Sequence, residues 1–152
     1  MAFHFNTVPL TKKYKNNAYD IFKNEWIEKP DCDFSTSWNG RDESSVAILD
    51  ENNKFIGFII SSYHRKNGDN LYIDYIALND DNKGKGIGSK ILKQYISNAF
   101  AKKSSVHLWP DSDDILPWYT RHGFSPTNDG YYNFHSYETR RQDKIHKGLG
   151  LC

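Results

Sequence analysis

A glycine-rich turn between two patterned segments constrains the fold of this chain more than any other feature. Residues 83–88 read KGKGIG, and they join an apolar segment (residues 71–78, LYIDYIAL) to an amphipathic one (residues 89–100, SKILKQYISNAF). A strand that turns through glycines into a helix directs several backbone N–H groups at one point, where the helix dipole adds positive potential. Alternating glycines also let a ligand approach the backbone closely. The sequence therefore predicts a strand, a phosphate-binding turn and a helix in succession.

Length and composition limit the classes of protein to which the chain belongs. Its 152 residues suit a single domain spanning residues 1–152, with a short basic tail over residues 138–152. The formal net charge of +1 argues against a dedicated nucleic-acid binder, and no segment has the apolar length of a membrane span or signal peptide. The two cysteines, Cys32 and Cys152, form neither a disulfide framework nor a metal-ligand pattern. We therefore expect a cytoplasmic protein that binds no nucleic acid, membrane or metal.

Hydrophobic periodicity predicts a mixture of strands and helices. Helices are predicted from residue 11 to residue 26, over residues 89–100 and just before Gly123, and residues 28–43 are predicted as a loop with room for a short helix. Strands are predicted over residues 3–8, 45–49, 55–63, 71–78, 105–109 and 131–137. This order predicts a mixed α/β (α+β) fold, in which a twisted and mostly antiparallel sheet with flanking helices contains one βα crossover.

A second motif gives the chain a specific family resemblance. Tyr119 is followed by Gly123 and Phe124 in the spacing Tyr-x-x-x-Gly-Phe. Together with the glycine turn, this motif resembles the GNAT (GCN5-related N-acetyltransferase) superfamily, in which an Arg/Gln-x-x-Gly-x-Gly/Ala turn cradles the pyrophosphate of acetyl-CoA. Gly86 and Gly88 match that turn. The two motifs occur in the order that the family has, and the resemblance extends over residues 45–137.

The resemblance implies acetyl-CoA as the co-substrate and a set of residues that contact it. Lys83 stands where the family usually has Arg or Gln, so it keeps a positive charge but lacks the planar guanidinium fork. Ser112 stands where the family often has an Asn that contacts pantetheine, and it offers a hydroxyl instead. The implied cofactor-binding residues come from the strand, the turn, the start of the helix and one later loop: Ile76, Ala77, Leu78, Lys83, Gly84, Lys85, Gly86, Ile87, Gly88, Ser89 and Ser112.

Two residues are predicted to carry the chemistry. The resemblance implies that Tyr119 protonates or steadies the departing CoA thiolate, as a phenol with a pKa of about 10 is able to do. The attacking amine must first be neutral, and Asp74, which lies on the strand before the turn, is our candidate base, acting directly or through water. Because side chains alternate along a strand, Tyr72 is predicted to lie on the same face of that strand as Asp74. The competing interpretation is that Asp74 faces solvent or pairs with a lysine.

The acceptor is predicted to be a primary amine of a small cationic molecule. Residues 71–74 and the aromatic segment 131–137 are similar to the spermidine/spermine branch of the superfamily. That branch carries an acidic residue at the position of Asp74 and a second one where this chain has Tyr75. A polyamine-like acceptor is therefore favoured. Because no cysteine lies in either motif, direct attack in a ternary complex is expected.

Three other interpretations of the same motifs stay open or are disfavoured. One alternative is an enzyme whose acceptor is a protein or peptide amine. Another is a non-catalytic regulatory module that binds acyl-CoA. A nucleotide-binding domain is disfavoured, because Gly88 is followed by Ser89 and Lys90 rather than by a Gly-Lys-Ser/Thr ending. Residues 131–137 are also a candidate contact for a homodimer.

Overall fold

A seven-stranded sheet organises the part of the chain that the structure describes. The structure is a computed structural model, and it describes residues 4–64, 70–101, 105–108, 115–126 and 132–133. Short 3₁₀ turns precede the first helix (Lys12–Tyr14) and follow the fourth strand (Asp80–Asn82). The elements in chain order are β1 (Phe5–Pro9), α1 (Lys15–Glu25), α2 (Asp31–Asn39), β2 (Val46–Asp50), β3 (Phe55–His64), β4 (Asn70–Leu78), α3 (Ile87–Ala101), β5 (Ser105–Leu108), α4 (Leu116–Arg121), β6 (Ser125–Pro126) and β7 (Tyr132–Asn133).

The strand order is β1-β2-β3-β4-β5-β7-β6. Every neighbouring pair is antiparallel except β4 and β5, which are parallel. A parallel pair requires a crossover connection, and α3 supplies it between these two strands. The predicted mixed α/β fold with a mostly antiparallel sheet and one βα crossover is therefore confirmed.

Two hydrophobic clusters cover the two faces of the sheet. On one face, α3 and α4 pack through side chains that include Ile91, Leu92 and Tyr119. On the other face, α1 and α2 pack through an aromatic group in which ring centroids lie 4.9–5.8 Å apart: Phe22, Trp26, Phe34, Trp38 and Tyr75. The aromatic share of the sequence is thus concentrated on the face that α1 and α2 cover.

A β-bulge interrupts the pairing of β3 with β4 at the centre of the sheet. Ile60 pairs with Tyr75 and the next residue, Ser61, pairs with Ile73, so Asp74 is an extra residue on β4. The insertion changes the alternation of side chains. Asp74 and Tyr75 both lie toward α1 and α2, because Asp74 interacts with Ser62 and the rings of α1 contact Tyr75.

The parallel pairing of β4 with β5 is short. It runs from Asn70 and Ser105 to Ile73 and Leu108. Among the described residues, β4 has no partner on this side from the bulge to its end at Leu78. The bulge and this open edge therefore occur at the same point of the strand.

The structure refines several predicted elements. The segment over residues 28–43 contains a complete helix, α2, and the first predicted helix begins as a 3₁₀ turn before α1. Of the predicted strand over residues 131–137, only Tyr132 and Asn133 lie within the described residues, and they form β7. No helix in the described ranges combines the length and apolarity that crossing a membrane requires.

Candidate functional site

A cavity of about 430 Å³ lies where the end of β4, the glycine turn and α4 meet. We call it the cofactor cavity. Its lining includes most of the residues that the sequence motifs predicted, together with three that they did not place there, namely Glu25, Ile115 and Trp118. The lining residues are Glu25, Ile76, Ala77, Leu78, Lys83, Gly84, Gly86, Gly88, Ser89, Ile115, Trp118 and Tyr119.

The remaining predicted cofactor residues lie outside this lining. Lys85 is exposed on the turn, and the side chain of Ile87 is buried in the core beneath α3. Ser112 lies outside the described residues. Ile87 can therefore contact a ligand in the cavity only through its backbone. Lys85 can do so through its backbone or by extending its flexible side chain.

The glycine turn needs glycine for its backbone conformation rather than for space. Gly84 and Gly86 have φ angles of 77° and 79°, and a Cβ at either position would meet nothing within 4 Å. L-amino acids with side chains rarely adopt this left-handed region. α3 begins at Ile87, so the first N–H groups of a 15-residue helix follow directly. These N–H groups have no intrahelical acceptors, which makes the turn suitable for an anion.

The second motif holds Tyr119 in place from the other side of the cavity. Gly123 has a φ of 96°, and this left-handed residue reverses the chain after α4. Phe124 then packs against Tyr119 with ring centroids 5.7 Å apart, and its N–H donates to the Tyr119 carbonyl at 3.2 Å. The Tyr119 side chain is buried and still reaches the cavity. The Tyr-x-x-x-Gly-Phe spacing is thus explained by a turn that packs the phenylalanine onto the tyrosine.

Gly57 on β3 packs against the end of β4 that lines the cavity, and sequence analysis did not identify it. A Cβ at Gly57 would lie 2.4 Å from the Ala77 carbonyl oxygen and 2.8 Å from a methyl carbon of Leu78. Only glycine allows β3 to approach this end of β4 so closely. The signal in the sequence is a lone glycine inside an apolar strand, which often marks a close approach of two backbones.

Asp74 lies on β4, two residues before the cavity-lining Ile76 and outside the lining itself, on the face of the sheet that α1 and α2 cover. The Ser62 hydroxyl donates to Asp74 Oδ1 at 3.0 Å. Burial raises the pKa of Asp74 to about 7, and the hydroxyls of Ser62 and of Ser37, on α2, act in the opposite direction. Asp74 is half-buried and is held by Ser62, so the structure argues against the interpretation of Asp74 as a fully solvent-facing carboxylate.

Tyr72 and His107 extend this polar region along the sheet. Tyr72 pairs in register with Ser62 on one side and with His107 on the other, and its ring centroid lies 5.1 Å from that of the imidazole. Both side chains are buried. We call Ser37, Ser62, Tyr72, Asp74 and His107 the buried polar cluster, in which Ser62 and Asp74 are half-buried and the other three are buried. The predicted sharing of a face by Tyr72 and Asp74 is confirmed, whereas His107 was missed, because one histidine in a short strand carries no motif.

An ammonium group and a second carboxyl group lie near this cluster. Lys29 Nζ, from the segment between α1 and α2, lies 5.9 Å from the centroid of the Tyr75 ring. Asp33 on α2 is buried; burial raises the pKa of its carboxyl group, while the charge of Lys29 lowers it. This side of β4 therefore combines acidic groups with aromatic faces, which is an environment suited to a cation.

A second cavity, of about 390 Å³, lies on the opposite face beside α3 and contains none of the predicted site residues. The Tyr95 hydroxyl on its wall donates to Ser61 Oγ at 2.6 Å, and Ser44 donates to an Asp42 carboxylate oxygen at 2.6 Å. Burial raises the pKa of Tyr95 to about 12, so its hydroxyl stays protonated at neutral pH. These hydroxyls tie β3 and α3 to the segment that precedes β2.

Comparison with known proteins places this geometry in a family. The profile described as "Acetyltransferase (GNAT) family" matches residues 15–124. This segment contains α1 and α2, the glycine turn and the Tyr119 motif. A search of curated proteins gave no match.

Solved structures share the fold at low sequence identity. Ard1 from Thermoplasma volcanium is 19% identical with a TM-score of 0.67, covering 85% of this chain and 94% of that one. A GNAT acetyltransferase from Staphylococcus aureus Mu50 is 15% identical with a TM-score of 0.69, over 87% and 100% of the two chains. A GNAT acetyltransferase from Brucella melitensis, in complex with acetyl-CoA, is 11% identical with a TM-score of 0.68, over 91% and 92%.

At these identities, the solved structures establish the shared fold, and the family profile establishes the relationship. The profile covers more than half of the chain and includes both sequence motifs. The strand, the glycine turn, the open edge of β4 and the packed Tyr119 motif agree with that assignment. The chain therefore belongs to the acetyltransferase (GNAT) family and is an acyl-CoA N-acyltransferase.

Proposed function

We propose that this protein transfers the acetyl group of acetyl-CoA to a primary amine of a small, polyamine-like cation, by direct attack in a ternary complex. One observation carries the proposal. The cofactor cavity brings the glycine turn, the end of β4 and Tyr119 together, and Asp74 stands at a bulge two residues earlier on the same strand. This arrangement supports a site in which binding and proton-transfer groups are supplied from neighbouring positions on β4.

Backbone groups supply most of the cofactor contacts in this proposal. The N–H groups of residues 85–89 would hold the pyrophosphate, and the edge of β4 at Ile76, Ala77 and Leu78 would hold the pantetheine arm. A strand N–H near the acetyl carbonyl would polarise the thioester as negative charge develops on its oxygen. Trp118 and Ile115 offer an apolar wall to the pantetheine. The proposed role of Ser112 stays a prediction.

Asp74 would accept the proton that the ammonium group of the acceptor must lose before it attacks. A base works best when its pKa is near the working pH, and burial brings the pKa of Asp74 to about 7. The neutral amine then forms the C–N bond as the C–S bond breaks. Tyr119 would give its proton to the departing thiolate, and the second proton that the newly bonded nitrogen loses would restore Tyr119 through solvent. Asp74 would pass the first proton to solvent, so that one proton is released for each amide formed.

The surroundings of Asp74 support a cationic acceptor. Asp33 and Asp74 add acidic groups, and Trp26 and Tyr75 add aromatic faces whose ring centroids lie 4.9 Å apart. Lys29 already places a primary ammonium over the ring of Tyr75. This contact shows a geometry in which that ring accepts a cation from its own chain. A polyamine would present the same group with a second cationic centre.

The test is release of free CoA thiol from acetyl-CoA in the presence of spermidine. We expect release that depends on spermidine and falls by about 10²-fold or more in Tyr119→Phe, within the range of a lost general acid. Tyr14→Phe is the matched control, because Tyr14 stacks on Phe55, away from the cofactor cavity. It should retain the wild-type rate.

Other outcomes would redirect the proposal. Release with a peptide amine but not with spermidine would replace the polyamine acceptor with a protein or peptide. CoA binding without release from any amine, and without an effect of Tyr119→Phe, would favour the non-catalytic acyl-CoA-binding module.

A further inference from the structure

Two carboxylates hold the ammonium of Lys83 at the start of the glycine turn. Lys83 Nζ forms an ion pair with Glu25, the last residue of α1, and a second one with Asp80 at 3.1 Å. The hydrogen bond to Glu25 is the largest cause of a raised pKa for Lys83, which stays charged. Asn24 also donates to Asp80 Oδ2 at 3.0 Å. The end of α1 is thus fastened at two points to the segment that enters the turn.

The Glu25 carboxylate is at an unexpected place for an anion site. Glu25 and Lys83 both line the cofactor cavity with the glycines of the turn. Glu25 and Asp80 set two carboxylates against the single ammonium of Lys83, beside the N–H groups that are to receive a pyrophosphate, while Lys85 adds one exposed positive charge on the turn. Like charges at short range repel, so a carboxylate here reduces the affinity for a phosphorylated ligand unless it serves another purpose.

We propose that Glu25 competes with the pyrophosphate of the cofactor for Lys83. Before the cofactor arrives, Glu25 neutralises the ammonium; when the pyrophosphate enters, Lys83 exchanges its carboxylate partner for a phosphate oxygen. This inference rests on the proposed function, because it takes the glycine turn to be the pyrophosphate site. Glu25 is therefore a positioning residue that sets cofactor affinity through Lys83.

The solvent exposure of the pair fits an exchangeable contact. The Lys83 and Glu25 side chains are 44% and 32% exposed, and exposed ion pairs are weak. A pyrophosphate that also accepts from several backbone N–H groups forms stronger, charge-assisted hydrogen bonds. The competition therefore lowers cofactor affinity without blocking the site.

A second ion pair on α1 provides the comparison. Lys23 Nζ lies 2.9 Å from Asp31 Oδ1, and both side chains are exposed. Neither residue lines the cofactor cavity. This pair has similar exposure and the same helix but no contact with the glycine turn. Its removal should leave cofactor binding unchanged.

The experiment is a double-mutant cycle on CoA affinity, measured by calorimetry at low ionic strength. We expect Glu25→Gln to tighten CoA binding by about fivefold, the factor that an exposed ion pair corresponds to. Lys83→Met should weaken it. In the Lys83→Met background, Glu25→Gln should change affinity by less than about twofold, because the contested cation is absent. The gain in CoA affinity that Glu25→Gln gives in the wild-type background should also shrink in 0.5 M salt, where charges are screened.

Three controls make the outcome specific. Asp31→Asn should bind CoA as the wild type does. Unfolding temperatures of all variants establish that each one is folded. Dephospho-CoA, which keeps the pyrophosphate but lacks the 3′-phosphate, should show the same gain in Glu25→Gln. A gain that is lost with dephospho-CoA would place Glu25 against the 3′-phosphate and overturn the proposal.

Two other results would overturn it. One is unchanged or weaker CoA binding by Glu25→Gln. The other is an equal gain in both Lys83 backgrounds, which would indicate repulsion between Glu25 and the ligand rather than competition for Lys83. Absence of CoA binding by the wild type would overturn the proposed function itself, so the two failures are distinguishable.

Discussion

The cofactor cavity and the buried polar cluster lie on the same strand but are built in different ways. Most of the cavity lining comes from one continuous stretch, from the end of β4 through the glycine turn into α3, which α1 and the α4 region complete, and it relies largely on glycine conformation. The cluster uses single side chains from α2, β3, β4 and β5, which the fold brings together across the sheet. One region binds through local structure, and the other requires the whole fold.

This difference gives the two regions different tasks in the proposed reaction. A site of backbone N–H groups recognises a phosphate in any member of a large family, because it does not depend on side-chain identity. A buried carboxyl group tunes a proton transfer, because its pKa follows from burial and from neighbouring hydroxyls. Changes to the glycine turn should therefore alter cofactor affinity, and changes to the cluster should alter turnover.

The largest expected effect separates the two tasks at Asp74. Asp74→Asn keeps the shape of the side chain but removes the base, so we expect kcat to fall by about 10²–10⁴-fold. The Kd for CoA should stay within about twofold, since Asp74 does not line the cofactor cavity. Steady-state rates and calorimetry measure the two quantities. Asp20→Asn, at an exposed position on α1, is the control. A parallel loss of CoA binding would contradict the division.

The next effect is expected at Gly86, on the cofactor side. Valine is strongly disfavoured at a φ of 79°, so Gly86→Val should distort the turn and scatter its N–H groups. We expect CoA affinity to fall by about 10²-fold, which corresponds to roughly 3 kcal/mol of lost N–H contacts. The fold should persist, because Gly86 is exposed. Wild-type CoA affinity in this variant would show that the turn does not bind the pyrophosphate.

A smaller effect is expected at Gly57, where β3 packs closely against β4, the strand that contributes to both regions. In Gly57→Ala, the new Cβ meets the Ala77 carbonyl oxygen, and β3 must move away from β4. We expect the free energy of unfolding to fall by about 2 kcal/mol, a typical cost of overpacking. Denaturant unfolding measures this change. Gly40→Ala, where the nearest contact is 3.4 Å, should cost much less. Equal losses of unfolding free energy in the two variants would show that the close approach of β3 to β4 does not require glycine at position 57.

The same difference explains how much of the molecule the sequence predicted. The glycine turn and the Tyr119 motif are contiguous patterns with a local physical cause, namely positive φ angles at Gly84, Gly86 and Gly123. They were sufficient to predict the fold class, and most of the side chains that they nominated line one cavity.

The buried polar cluster was predicted only in part. Asp74 and Tyr72 share a predicted strand face, but the bulge that also turns Tyr75 to that face depends on pairing with β3. His107 and Ser37 reach the cluster through tertiary packing, and Glu25 reaches the glycine turn from the end of a distant helix. No local pattern encodes such contacts, so sequence analysis could not find them.

The most direct test of the central claim is the pH dependence of kcat for the wild type and for Ser62→Ala. In the proposed mechanism the carboxylate form of Asp74 acts as the base, and its pKa is about 7, so kcat should rise with pH through a midpoint near 7. The Ser62 hydrogen bond stabilises the charged form and lowers this pKa, so its removal should move the midpoint to higher pH. Such a shift, with an unchanged Kd for CoA, is the result that the account predicts. A profile without a transition near pH 7, or a midpoint that Ser62→Ala leaves in place, would contradict it.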